Sequence, residues 1–114
     1  MSTTTKKKGI SSMVINRKEL ESEWYNFPES EAKFKIRPFP RFTMLDSIKE
    51  SERMWLSFGY ALQDWKNLKE ENGTEFIYSE DNKKVLFDFV IDIVNFVFEK
   101  ANDKYLKITE QLKN

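Results

Sequence analysis

Asp88 and Asp92 stand four residues apart in the apolar stretch Val85 to Phe98. On one helix such carboxylates share a face, where they can hold a cation or divide acid and base roles. Trp24, Trp55 and Trp65 can stack on bases or line a ligand pocket. The run Lys6-Lys7-Lys8 can meet phosphates or an acidic partner. The chain has no histidine and no cysteine. It therefore lacks the commonest general base, any thiolate nucleophile, any disulfide and any sulfur-ligated metal.

Each of these features has a plainer reading. Asp88, Asp92, Asn95, Glu99 and Asn102 recur at helical spacing, so the carboxylates belong to one solvated stripe. With only three glycines the chain cannot build a phosphate cradle, and no serine–histidine pair exists. The tryptophans fall at strand and helix spacings expected of a core, and the lysine run reads as a solvated tail. The sequence therefore predicts no catalytic residue, no metal and no cofactor. Nineteen Lys and Arg balance nineteen Asp and Glu, which leaves no net field toward nucleic acid or an anionic membrane.

The elements that position these residues can be read along the 114-residue chain. Residues 1–12 are polar, small and basic, and predict a flexible arm without a secretory h-region. Residues 13–114 then form one α+β domain. Trp24, Tyr25 and Phe27 precede a Pro28-Glu29-Ser30 turn, after which Ala32, Phe34 and Ile36 alternate with Lys33, Lys35 and Arg37. This predicts a β-hairpin over about 22–38, buried on one face and joined by a loop longer than two residues. Pro38 and Pro40 end it.

Thr43 or Asp46 can cap a helix over about 44–65 with Met44, Ile48, Trp55, Phe58, Leu62 and Trp65 on the sheet side. Glu70-Glu71-Asn72-Gly73 signals a turn within a loop from Asn67 to Tyr78, with Phe76-Ile77-Tyr78 as a candidate short strand. Ser79 then caps a helical region over about 79–112, with a break expected near Asp88 or Phe89.

Residues 85–98 hold eleven apolar residues in fourteen. A membrane span needs about twenty, and Asp88, Asp92 and Asn95 interrupt this run, so it belongs against protein. Its polar stripe leaves roughly 200° of helix apolar, about twice what one core contact needs. Val90, Ile93 and Val97 lie in mid-arc. Phe87, Ile91, Val94 and Phe98 form one edge, Phe89 and Phe96 the other. The first edge is the candidate partner-binding surface, for another copy or a different protein; the alternative is that the hairpin and first helix cover both edges.

The order of Trp24-Tyr25-Asn26-Phe27, Ala32 to Phe39, Asp64-Trp65-Lys66-Asn67, Glu70 to Gly73 and Ser79 to Asn82 resembles the tail assembly chaperones of long-tailed bacteriophages. The resemblance covers about residues 22–105. It implies a holdase, without nucleotide, that keeps the apolar helical tape measure protein soluble in the host cytoplasm. Tail tube subunits then replace it, and it is absent from the mature virion. Members often have a longer frameshifted form, and Leu112-Lys113-Asn114 permits a slippery codon run. The competing expectation is a small phage or prophage adaptor, or an inhibitor of a host protein.

Overall fold

The computed structural model describes residues 17–40 and 49–113. The fold is α+β, a small three-stranded antiparallel sheet against a mostly helical C-terminal part. Along the chain run α1 (Arg17–Leu20), β1 (Glu23–Asn26), β2 (Lys33–Ile36), α2 (Glu50–Ala61), β3 (Leu62–Lys66), α3 (Glu80–Phe89) and α4 (Ile91–Lys113).

The hairpin forms where the alternation places it. Trp24 pairs with Lys35 and Tyr25 with Phe34. Ala32, Phe34 and Ile36 are buried while Lys33 and Lys35 between them are half-exposed. The turn is the longer kind: Phe27 N–H donates to the Ala32 carbonyl at 2.9 Å, and Ala32 N–H to the Ser30 hydroxyl. Glu29 sits in the left-handed region at φ 58, a conformation that costs a side chain with a Cβ about 1 kcal/mol or more.

The first long helix departs from its sequence reading. It ends at Ala61, and Leu62 passes without a loop into β3, which pairs with β2 through Phe34 opposite Trp65 and Ile36 opposite Leu62. Leu62 and Trp65 are three residues apart, a helical spacing, yet both are buried in one strand. The register shift between Lys35 and Ile36 explains this, because a bulge adds a residue and turns both side chains to the same face. Thr43, Met44, Asp46 and Ile48 lie outside the described residues. The N-cap position of the observed helix is Lys49, whose side chain makes no capping hydrogen bond.

Residues 67–79 are a loop. An isolated bridge joins Lys69 to Glu75, Gly73 turns at φ 88, and Phe76 to Tyr78 make no strand. Trp65 fastens this loop: its indole N–H donates to the Phe76 carbonyl at 2.7 Å while its ring stacks on Phe76 and meets Tyr78 edge-on. Ser79 caps α3 as its chemistry requires, its hydroxyl accepting from Asn82 N–H at 3.0 Å. The C-terminal helical region breaks at Val90, one residue past Phe89. The core lies where α4 crosses β2 and α2. Phe96 meets Phe27 and Phe34, Phe98 meets Phe39 and Phe58, and Val97 and Ala101 are fully enclosed.

Candidate partner-binding site

The edge selected from the sequence is distributed unevenly. Val94 is 2% exposed. Phe98 is half-buried between the Phe39 and Phe58 rings, and Phe87 is half-buried against Trp55 and Phe58 at ring distances of 5.3 and 5.4 Å. Ile91 alone of the four is open to solvent, at 63%. Phe87 and Phe98 are covered by α2 and Phe39 and Val94 is buried, while Ile91 on this edge and Phe89 on the other stay exposed, so the hairpin and first helix cover the edges only in part. The physical reason for the cover is the third strand. By ending α2 at Ala61 and reversing into β3, the chain lays the Trp55–Phe58 face of α2 directly on this edge.

What stays open is the joint itself. Phe89, the last residue of α3, is 81% exposed, and Ile91 starts α4 on the other side of Val90. Val85, one turn before Phe89, and Ile77 in the preceding loop add exposed apolar surface. Val90, between Phe89 and Ile91, lines two shallow grooves that Phe89 and Ile91 do not themselves line. One, about 390 Å³, runs toward the hairpin turn past Phe27 and Pro28; the other, about 290 Å³, runs toward Phe76 and Val85. Leu68, Val90 and Ile93 line both.

The sequence placed Phe89 on the second edge, beside Phe96. The structure separates the two: Phe96 is buried against the hairpin, while the break turns Phe89 outward. The available signal was the position of Phe89 at the expected break, since a side chain at a helix end escapes the periodicity of both helices. Leu68 and Ile77 carried no such signal, because a loop has no period to read.

The polar stripe faces outward, with Asp88, Asp92, Asn95, Glu99 and Asn102 all exposed. The break puts Asp88 on α3 and Asp92 on α4, and Asp88 pairs with Lys84 at 3.1 Å. Asp92 lines the hairpin-side groove at the start of α4, where the helix dipole favours an anion. Among the described residues, no group of three or more His, Cys, Asp or Glu side chains could hold a metal ion, and no helix is long and apolar enough to cross a membrane. Trp65 is a core residue, and Trp24 lies on β1 under the Lys66 ammonium, 4.3 Å from its ring centroid.

Two ionic contacts fix the helices that carry Phe89 and Ile91. Lys83, 3% exposed, reaches across to the Gly59 carbonyl of α2 at 2.9 Å and lies over the Tyr78 ring. Lys104 donates to Glu23 at 2.9 Å, tying α4 to β1, and this bond holds the Glu23 carboxyl below its usual value. Tyr25 donates to the same carboxylate; burial first, and that negative charge next, push its phenol up to about 12.

Compared with known proteins, the chain matches no protein-family model, no curated protein and no solved structure.

Proposed function

We propose that this chain is a holding protein for an apolar, helical client, acting as phage tail assembly chaperones act on the tape measure protein. It catalyses no reaction and needs no cofactor. The observation that carries the reading is the exposure of Phe89 and Ile91, 81% and 63%, on either side of Val90, which itself lines two shallow grooves. Two large apolar side chains left in water two residues apart suit a contact surface. An amphipathic helix offers apolar side chains at i, i+4 and i+7 to cover them.

Magnitudes suit temporary holding. Burying a side chain the size of Phe89 or Ile91 contributes about 1.5–3 kcal/mol, and association costs about 4 kcal/mol or more. A single such contact therefore holds weakly, and several copies along one long client provide the retention. Release to tail tube subunits in the host cytoplasm then needs no energy source.

Co-expression with the tape measure protein of the same phage tests this. The client is expected in the soluble fraction with the wild-type chain, co-purifying with several copies of it, and in the pellet with the double variant Phe89→Ser, Ile91→Ser. Client solubility indifferent to the chain would sink the reading and favour the adaptor or inhibitor. One-to-one binding to a compact host protein would identify the inhibitor.

A further inference from the structure

The charges of α3 and α4 are sorted between the inside and the outside of the molecule. Lys83 and Lys104 are buried, on the Gly59 carbonyl and on Glu23. Lys84 pairs with Asp88 at 3.1 Å, Lys100 lies half-buried over the Tyr25 and Phe96 rings, and Lys107 adds its field to Glu23. The acids stay outside. Asp81, Asp88, Asp92, Glu99 and Asp103 are all exposed, and among the described residues only Asp88 of these five has an ion pair.

Asp81 and Asp92 stand in first turns, which suit an anion. Two other carboxylates stand where the helices alone disfavour them. Asp88 is in the last turn of α3, which holds no basic residue although a helix C-terminus favours a cation, and its pair with Lys84 runs in the less favourable order. Glu99 and Asp103 are four residues apart on α4, a like-charge spacing that weakens a helix. The negative charge of this surface is therefore kept at a cost to local stability.

The exposed apolar residues lie among these acids. At about 100° per residue, Asp81, Val85, Asp88 and Phe89 share one face of α3, and Ile91, Asp92, Glu99 and Leu106 share one face of α4. Val85 and Leu106 are 42% and 53% exposed, beside the more open Phe89 and Ile91. A second copy would set the same negative face against itself, and an anionic membrane would repel it. A chain with lysine or arginine beside its apolar residues is attracted by both features of the surface.

We propose, on the footing of the holding role above, that the client segments covering Phe89 and Ile91 are basic amphipathic helices, with lysine or arginine set against Asp88, Asp92 and Glu99.

Two labelled peptides test this, each an amphipathic helix with leucine at i, i+4 and i+7, one carrying lysine and the other glutamate on its remaining face. By fluorescence anisotropy at low salt, the lysine peptide should bind wild type about tenfold tighter than the glutamate peptide, which a few exposed ion pairs supply. The advantage should shrink as salt is raised to about 0.5 M. Asp88→Asn, Asp92→Asn and Glu99→Gln in one chain should abolish it with the circular dichroism spectrum unchanged, and Phe89→Ser with Ile91→Ser should weaken the lysine peptide several-fold. A glutamate peptide bound as tightly, an advantage that survives the three neutral substitutions, or a lysine peptide indifferent to Phe89 and Ile91 would each overturn the proposal. The client-solubility experiment then decides the holding role by itself: a client kept soluble would leave a holding protein that does not select basic chains. A basic preference beside an insoluble client would keep the surface and remove the holding role.

Discussion

Lys83 is buried to 3% exposure, and its ammonium is satisfied mainly by the Gly59 carbonyl at 2.9 Å. Glu80, at 3.4 Å, is 77% exposed and contributes little through water. Lys83→Met keeps the apolar stem but orphans that carbonyl, so it should destabilise the protein by about 1–3 kcal/mol. Glu80→Gln should stay within about 0.5 kcal/mol of wild type. Urea midpoints decide between them, and equal losses would mean that the surface ion pair, not the buried bond, anchors α3. Glu23 gives a pH signature. Its folded carboxyl is held below the ordinary 4.5 by Lys104, so its contribution is complete above that value and disappears as pH falls through the folded pKa. Being more than half exposed, the carboxyl contributes less than about 1 kcal/mol. Glu23→Gln should flatten the decline in urea midpoint below about pH 4.5; an unchanged slope would assign it to other carboxylates.

Ser79→Ala removes the one oxygen that accepts from Asn82 N–H and should cost about 1 kcal/mol in thermal or urea unfolding. No loss would mean that Trp65 and Tyr78 alone fix the start of α3. This cap and the hairpin were legible because each rests on local chemistry, a hydroxyl before carboxylates and strict alternation; the break within a residue of Phe89 was legible because one helix of over thirty residues is too long for so small a domain. The third strand was not legible. Phe58, Leu62 and Trp65 keep helical spacing across the helix–strand boundary, and only the bulge in β3 opposite Lys35 and Ile36, which exists only through the pairing with β2, makes that spacing serve a sheet. The covered edge follows from the same error. While Leu62 and Trp65 were read as helix, nothing placed Trp55 and Phe58 over Phe87 and Phe98. Phe89 and Ile91 lay within the predicted apolar arc, but which residue of that arc stays wet depends on where α2 ends.

For the molecule as a whole, Phe98 and Phe89 make opposite predictions despite their shared helical region. Phe98→Glu puts a charge between Phe39 and Phe58 and should destabilise by about 3 kcal/mol or more. Phe89→Ser should leave the urea midpoint within about 0.5 kcal/mol of wild type, while lowering binding of a hydrophobic dye. A large stability loss for Phe89→Ser would show that this side chain is part of the core. The link between Glu23 and Lys104, 81 residues apart in sequence, also has a consequence for how the protein is made. A ribosome delivers the hairpin first, with Phe27 and Phe34 shaped for a ring that does not yet exist. That face stays open until Phe96 has left the exit tunnel, several seconds later at about 5–20 residues per second.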